Sequence, residues 1–276
     1  MTPLVSPQWL HEQASNPNLV ILDASIDFQI PSETEKDKQN IIPNAVRFDY
    51  NSNFSDLENS LPHMMPNETR FNEMAQKIGL NNESVIIVYD NSGTFASPRA
   101  WFMLKAMGHK DVFILDGGLT EWKNSGFEVA QTYATQKQKG NFNGVLNTNY
   151  FLSAQQVLDK IEDDSSLTVD ARGLARFNAK TEEPRVGIRS GHIPKSVCQP
   201  FSELMNGHKL KPVEQLKSIL DQSIEPSKDH YIFSCGSGVT ACIVLLASKV
   251  CGYENLSVYD GSWTEWGQRP DLPIEK

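Results

Sequence analysis

The chain has no apolar stretch that approaches the roughly 20 residues needed to cross a bilayer. Its first residues, MTPLVSPQWLHEQ, lack the basic and apolar regions of a secretory signal. A basic excess is also missing, since 25 Lys and Arg face 34 Asp and Glu and the formal net charge is −9. These charges are scattered, so nothing favours a nucleic-acid or an anionic-membrane surface. We therefore expect a cytoplasmic protein with no nucleic-acid or membrane partner.

Cysteine is scarce as well, with four residues in 276, and no two of them have the CxxC spacing. Four cysteines in a chain of this length do not make a dense disulfide framework, and their spacing does not suit a structural zinc site. We expect no bound metal.

What the chain does have is internal similarity, at an offset of about 145 to 150 residues. The segment VILDAS (20–25) matches LTVDAR (167–172), and VIIVYD (85–90) matches HYIFSC (230–235). FILDGGLTEWKNSG (113–126) likewise matches SVYDGSWTEWGQRP (257–270). A period of this size indicates two similar domains.

Short β-branched runs alternate with helical patterns in both halves, which predicts an α/β fold in which each domain is a parallel β-sheet flanked by helices. We predict domains at 1–133 and 149–276, joined by the polar, Gly-containing linker 134–148. Apolar spacing of three and four predicts helices in 71–80 and 153–164. The charged segment SETEKDKQN (32–40) is expected to be solvated surface.

A thiol stands between a strand-like run and a helix-like run in YIFSCGSGVTACIVLL (231–246). In an open parallel sheet, ligands bind beyond the carboxyl ends of the strands, where Cys235 is expected to lie. Gly236 and Gly238 tolerate positive φ, so the amides of residues 236–240 can turn inward, and a helix from about Val239 points its positive end at the same place. These dipoles favour a thiolate, which is the nucleophilic form of cysteine.

Two alternative roles for Cys235 stay open. It could be a small buried packing residue, although packing does not account for the surrounding glycines and hydroxyl residues. It could also be a phosphatase nucleophile, but such loops need an Arg six residues later, where this chain has Ala241. The first half has Asp90 at the equivalent place, so we expect that half to be catalytically inactive.

Five segments together resemble one protein family: DGSWTEW (260–266), GHIP (191–194), SPRAWF (97–102), LPHMMP (61–66) and DGGLTEW (116–122). With CGSGVTA in the second half, the chain resembles the tandem rhodanese-like 3-mercaptopyruvate sulfurtransferases over nearly its whole length. The resemblance implies sulfur transfer from 3-mercaptopyruvate to Cys235, giving an enzyme persulfide and pyruvate. The persulfide would then pass its sulfur to thioredoxin, a small thiol or cyanide. It also implies an active site in the cleft between the domains, with no cofactor.

Two alternative functions stay open, a thiosulfate sulfurtransferase (rhodanese) and a non-catalytic persulfide carrier. Relatives that use thiosulfate carry basic residues directly after the cysteine, where this chain has Gly236 and Ser237. A loop without fixed positive charge suits a neutral or weakly polar leaving group better than a sulfonate dianion, which favours mercaptopyruvate.

The resemblance also assigns roles to residues outside the cysteine loop. Arg176 and Arg185 would bind the substrate carboxylate, because a planar guanidinium forms paired hydrogen bonds with it. The alternative is that these arginines only pair with Glu182 and Glu183 on a surface loop, and this alternative applies still more to Arg172 and Arg189.

Ser237 and His63 would assist the leaving group, and the loop residues Gly236, Gly238, Val239 and Thr240 would contact the substrate. Ser237 would also belong to a Cys-Ser-Asp relay whose acidic position is ambiguous here, because Asn51 stands at that place and Asp49 or Asp56 could substitute. We place Asp49 in the catalytic set.

The other three cysteines are less informative. Cys242, seven residues after Cys235, is expected to pack in the core, whereas Cys198 and Cys251 are candidates for a redox role.

Overall fold

The computed structural model describes residues 2–135 and 138–276. Gln136 and Lys137, inside the predicted linker, and Met1 lie outside the described residues. The chain divides into two compact units. The first contains residues up to 58, 65–147 and 206–210, and the second contains 59–64, 148–205 and 211–276.

The first unit has a five-stranded sheet with helices packed on it. Its strands are β1 (Leu4–Val5), β2 (Leu19–Asp23), β3 (Val46–Arg47), β4 (Val85–Tyr89) and β5 (Val112–Leu115). Its helices are α1 (Pro7–Glu12), α2 (Glu68–Lys77), α3 (Ser97–Ala106) and α4 (Gly118–Asn124). The strand order is β1-β5-β4-β2-β3 and every pair is parallel.

The second unit repeats this arrangement. The strands of its sheet are β6 (Phe151–Leu152), β7 (Ser166–Asp170), β8 (Val197–Cys198), β11 (His230–Ser234) and β12 (Leu256–Tyr259). A separate two-stranded ribbon, β9 (Met205–Asn206) and β10 (Lys209–Leu210), follows β8 in the chain, and its residues 206–210 group with the first unit. The helices are α5 (Ala154–Lys160), α6 (Leu174–Phe177), α7 (Val213–Ser223), α8 (Ala241–Val250) and α9 (Ser262–Trp266), with a 3₁₀ turn at Phe201–Leu204.

The order β6-β12-β11-β7-β8 is parallel throughout and equals the order in the first unit. The predicted α/β class, with two similar parallel sheets flanked by helices, is confirmed. The central strands β4 and β11 are almost completely buried, because helices cover both faces of each sheet.

Local sequence explains where the helices begin. Asn67 caps α2, because its side chain accepts a hydrogen bond from the Arg70 N–H (2.9 Å). Ser153 and Gln156 form a capping box at the start of α5. Both predicted helices exist, but α2 begins and ends three residues before the predicted range and α5 ends four residues before it.

Each unit has an apolar cluster beside its sheet that includes tryptophan. Trp122 joins Leu10 and Ile87 in the first unit, whereas Trp263 and Trp266 lie in the second. Among the described residues, no helix has the length and apolar character that crossing a membrane requires.

The charged segment 32–40 is solvated only in part: Ser32, Glu35, Lys38 and Gln39 are exposed as predicted, but the side chains of Glu33 and Lys36 are buried. The Glu33 side chain is 0% exposed and pairs with Lys36 at 2.5 Å, and Glu33 also accepts a hydrogen bond from the Ser92 hydroxyl. The Asp37 N–H donates to the Asn91 carbonyl oxygen at 3.0 Å. Part of the segment therefore packs on the loop after β4, and Lys36 of the segment itself pairs with the buried Glu33 charge.

The predicted linker is tied to the first unit over much of its length. The Gly140 N–H donates to Gln76 O (2.8 Å), and the Val145 N–H donates to Met107 O (3.1 Å). Phe142 is 1% exposed. Backbone pairing and one buried ring hold this polar segment in place.

Candidate active site

Cys235 lies at the carboxyl end of central strand β11 and is 2% exposed. Helix α8 begins at Ala241, two residues later than predicted. Of the two loop glycines only Gly238 has a positive φ, of 76°. The loop therefore turns at Gly238, and Gly236 needs no unusual backbone conformation.

The start of α9 holds the backbone around the thiol. The Cys235 N–H donates to Ser262 Oγ (3.2 Å), and Cys235 O accepts from the Trp263 N–H (3.0 Å). Gly236 O accepts from both the N–H (2.9 Å) and the hydroxyl (2.6 Å) of Thr264. The DGSWTEW segment thus fixes the position of the thiol, which the sequence alone did not reveal.

The equivalent loop of the first unit binds a carboxylate. Asp90, 1% exposed, accepts hydrogen bonds from the N–H groups of Gly93 (2.9 Å), Phe95 (3.0 Å), Ala96 (2.9 Å) and Ser97 (2.8 Å). The Ser97 hydroxyl adds a further bond at 2.8 Å. This strand-loop-helix junction is therefore a cradle for a negative group, as convergent amides at a helix start favour.

Both predicted carboxylate-binding arginines lie beside the cysteine loop. A Cβ atom built on Gly236 would stand 3.7 Å from Arg176 Nη2 and 4.0 Å from Arg185 Nη1. Arg185 Nη1 also donates to Thr264 Oγ1 at 2.9 Å. The guanidinium groups of Arg176 and Arg185 thus meet at the residue that follows Cys235.

Arg172 is a functional candidate that the sequence analysis treated mainly as a surface pair. Its side chain is 1% exposed and donates to Asp170 (2.7 Å) and Glu183 (2.8 Å), and its guanidinium lies 4.3 Å from the Trp263 ring centre. Burial alone would lower the pKa of Arg172, but Asp170, Glu183 and the Cys235 sulfur outweigh burial and raise it. Arg172 is thus a permanent cation near the thiol. The sequence did offer a signal for this role, because Arg172 follows strand β7 closely. Strand β7 pairs with β11, so the ends of both strands lie side by side.

Glu183 connects Arg172 to Arg176. Arg172 Nη1 and Arg176 Nε both donate to Glu183 Oε1, at 2.8 and 3.2 Å, and Arg176 Nη2 donates to Oε2. The pairing of Arg176 with Glu183 that the sequence left open is therefore present, and it coexists with the position of Arg176 beside Gly236. Glu182 is exposed.

Arg189 has a different environment from these three arginines. Its guanidinium donates to the backbone oxygens of Trp266 (3.1 Å), Gly267 (3.1 Å) and Leu272 (3.2 Å). It anchors the chain that follows α9 and is a structural residue.

The remaining predicted site residues have these positions. Ser237 and Thr240 are half-buried and Val239 is 2% exposed. His63 is 6% exposed, with φ 63°, and its segment 59–64 groups with the second unit.

The acidic candidates are engaged by their own loop. Asp49 accepts hydrogen bonds from the N–H groups of Asn51 (2.9 Å) and Ser52 (3.2 Å) and from the Ser52 hydroxyl (2.7 Å). Asp56 accepts from the Glu58 N–H at 3.1 Å, and Asn51 is exposed. The roles of Asp49, Asn51 and Asp56 stay predictions.

The other cysteines lack the features of a nucleophile. Cys242 is fully buried and its thiol donates to Gly238 O at 3.3 Å. Burial, helped by Asp170, raises the pKa of Cys198 to about 12. Burial also raises the pKa of Cys251. A raised pKa lowers the thiolate fraction, so these environments disfavour a redox role for Cys198 and Cys251.

Comparisons with known proteins agree with this architecture. The rhodanese-like domain family matches residues 6–125 and 153–269. The chain is 38% identical over 298 residues to the Arabidopsis thaliana mitochondrial thiosulfate/3-mercaptopyruvate sulfurtransferase 1, covering 99% of this chain and 78% of that protein. It is 37% identical over 281 residues to the Escherichia coli K12 3-mercaptopyruvate sulfurtransferase, covering 99% and 98%.

A solved structure of the 3-mercaptopyruvate sulfurtransferase SseA from Escherichia coli superposes with a TM-score of 0.83 at 34% identity. The superposition covers 95% of this chain and 99% of that one. Two matches to one domain family, and relatives of 34–38% identity that are covered to 78–99% of their length, show that the chain belongs to the sulfurtransferases built from two tandem rhodanese-like domains.

Proposed function

We propose that this chain transfers sulfur from 3-mercaptopyruvate, through a persulfide on Cys235, to an acceptor, and releases pyruvate. The observation that carries the proposal is the meeting of Cys235, Arg172, Arg176 and Arg185 at the carboxyl end of β11. A cysteine at a helix start, with guanidinium groups at the next residue, can attack an anionic donor that those groups hold.

The reaction has two balanced steps. The Cys235 thiolate attacks the donor sulfur, the carbon–sulfur bond breaks, and its electron pair leaves on the pyruvate carbon as an enolate. A proton then converts the enolate into pyruvate, and the sulfur stays on the enzyme as a persulfide. An acceptor thiolate attacks that outer sulfur and regenerates Cys235. No oxidant or cofactor enters this balance.

Loop amides stabilise the negative sulfur in this proposal. Asp90 receives bonds from residues 93, 95, 96 and 97 in the first unit. The 145-residue offset between Asp90 and Cys235 relates these positions to 238, 240, 241 and 242. The Cys242 N–H already donates to Val239 O (3.1 Å), so the amides of residues 238, 240 and 241, rather than all of those at 236–240, are the proposed donors to the Cys235 sulfur and its persulfide.

Arg176 and Arg185 hold the carboxylate of the donor, and the loop residues Gly236, Gly238, Val239 and Thr240 line its path to the thiol. Ser237 is the proposed hydrogen-bond donor to the enolate. His63 and Asp49 are the proposed assisting groups. The grouping of segment 59–64 with the second unit supports the role of His63.

The proposed acceptors are thioredoxin, a small thiol or cyanide, and the proposed location is the cytoplasm. Reducing conditions there keep acceptor thiols available.

Thiosulfate is the second candidate donor, because one of the relatives is named for both donors. Gly236 and Ser237 add no positive charge next to the thiol, and this favours the monoanionic mercaptopyruvate. Steady-state rates with the two donors separate the candidates, and a higher kcat/KM for thiosulfate contradicts mercaptopyruvate as the preferred donor. A carrier without turnover, the third candidate, would release no pyruvate over repeated cycles.

The decisive experiment is mass spectrometry after treatment with mercaptopyruvate. Wild type is expected to gain one sulfur atom on the peptide that contains Cys235, and C235S is expected to gain none. C242S, the matched control, keeps the nucleophile and is expected to gain sulfur as wild type does. An adduct that persists in C235S would move the chemistry to another thiol.

A further inference from the structure

Two arginines and two carboxylates form a closed set beside the cysteine loop. Arg172 pairs with Asp170 (2.7 Å) and with Glu183 (2.8 Å), and Arg176 pairs with Glu183. The side chains of Arg172, Asp170 and Glu183 are 1%, 4% and 2% exposed. Solvent therefore screens the charges of this set weakly.

The charges in this set cancel. Arg172 and Arg176 contribute two positive charges, and Asp170 and Glu183 contribute two negative ones. Arg185 makes no ion pair with any carboxylate in the described part of the chain, and its only hydrogen bond there is to Thr264. One uncompensated cation thus faces the position at which a donor would bind.

We propose that Glu183 is a positioning residue that determines the charge of the sulfur donor. By neutralising one of the two guanidinium groups at Gly236, it makes the site suit a monoanionic α-keto carboxylate and disfavours a dianion such as thiosulfate. This inference rests on the proposed function and extends it, because it assigns donor choice to a residue that does not touch the thiol.

Glu183 performs this role through charge and through geometry. Both of its oxygens accept from Arg176, at Nε (3.2 Å) and at Nη2, so the guanidinium is held in one plane. A ligand gains energy from the local potential in proportion to its own charge, so an added positive charge stabilises a dianion twice as much as a monoanion. Removing the Glu183 charge therefore favours the dianion.

The test measures ligand protection of Cys235 and needs no turnover. Pyruvate serves as the monoanionic probe and sulfate as the dianionic probe, and each protects Cys235 from iodoacetamide with a measurable half-saturating concentration. E183Q is expected to lower the half-saturating concentration of sulfate, relative to that of pyruvate, by about tenfold. The kcat/KM ratio for thiosulfate and mercaptopyruvate is expected to shift in favour of thiosulfate.

E182Q is the matched control, because it removes the same charge at the neighbouring residue. The Glu182 side chain is exposed and pairs with neither arginine. The ratio for E182Q is expected to stay at the wild-type value. An unchanged ratio in E183Q, or an equal shift in E182Q, overturns the inference.

E183D keeps the charge but withdraws it by one carbon–carbon bond, about 1.5 Å. E183D is expected to lower the half-saturating concentration of sulfate, relative to that of pyruvate, by about two- to threefold. If E183Q fails to fold, a wild-type ratio in E183D overturns the inference. Failure of the proposed function is a separate result: wild type would release no pyruvate from mercaptopyruvate, whatever the protection ratios are.

Discussion

At the scale of single residues, the neighbours of a thiol decide its use. Cys198 also ends a strand, but it lies at the sheet edge, with its pKa raised to about 12 by burial and by Asp170. Arg172 is an electrostatic neighbour of both thiols, whereas Arg176 and Arg185 meet at Gly236, directly after Cys235 at the end of the central strand. The proposed nucleophile is therefore distinguished by the loop that follows it rather than by Arg172.

The proposed role of Arg185 in binding the donor carboxylate can be tested by a single substitution. The Arg185 guanidinium is exposed and bonded to Thr264, and R185K replaces its planar fork with one point charge. We expect R185K to raise KM for mercaptopyruvate about tenfold, and KM for a donor without a carboxylate by less than about threefold. R269K, a change at an arginine that pairs with Asp271, is the control and should alter neither KM. Equal increases for both donors would contradict the carboxylate role.

At the scale of elements, the strand-loop-helix junction serves both units with different groups in the cradle. In the first unit the Asp90 carboxylate fills the ring of amides, and the segment 32–40 packs over the loop. In the first unit this element supplies amides to a carboxylate, and the proposed function gives the second unit the same dipoles with the Cys235 thiol at the centre.

Substitution of the two glycines in the loop after Cys235 is expected to have different effects. Gly238 has φ 76°, so G238A places a side chain in the left-handed region at a cost of about 1–2 kcal/mol. A Cβ at Gly236 meets the arginines only at ordinary contact distances of 3.7 and 4.0 Å. We expect G238A to slow both alkylation of Cys235 and persulfide formation, because the altered turn moves the N–H groups of the loop away from the sulfur.

G236A is the matched control and is expected to fold normally, to keep the alkylation rate, and to change mainly KM for the donor. The rate of Cys235 alkylation by iodoacetamide and the persulfide yield by mass spectrometry are measured for both variants. Equal alkylation rates in the two variants would refute the role of the loop dipoles.

At the scale of the whole molecule, each unit has a histidine whose pKa is lowered by its surroundings, the buried His109 in the first and the half-buried His230 in the second. His109 Nε2 hydrogen-bonds to Ser84 O (2.7 Å), and His230 Nε2 hydrogen-bonds to Ser257 Oγ (2.8 Å). Burial lowers the pKa of both. Below about pH 6.5 the unfolded chain therefore binds protons on these rings that the folded chain does not, and stability falls as pH falls.

We expect the H109Q/H230Q double variant to lose less stability than wild type between about pH 7.5 and pH 5, since glutamine does not titrate. Urea unfolding midpoints across this range measure the slopes. H11Q, at an exposed histidine, is the control and should keep the wild-type slope. Identical slopes in wild type and the double variant would show that these histidines do not contribute.

The fold and the thiol were predictable because their signals are local. Apolar runs such as HYIFS mark buried strands, helical spacing marks α2 and α5, and a second copy of the pattern after about 145 residues marks a second unit. The residue types around Cys235 are contiguous, so its loop could be recognised without coordinates. The start of α8 and the conformation of Gly236 were predicted less accurately, because both depend on how the loop packs against α9.

By itself, the sequence determined two parallel α/β units, one with a cysteine and one with an aspartate at the same junction. Only the tertiary structure decided that Glu183 joins Arg172 to Arg176, and that Glu33 of the segment 32–40 is buried against Ser92. The physical reason is that neither contact follows a helical or a strand period: Glu183 lies 7 and 11 residues from its arginines along an irregular loop, and Ser92 lies 59 residues from Glu33. Periodicity and propensity act over one or two turns, whereas the charge of a buried site depends on which ionised groups the completed sheet brings together.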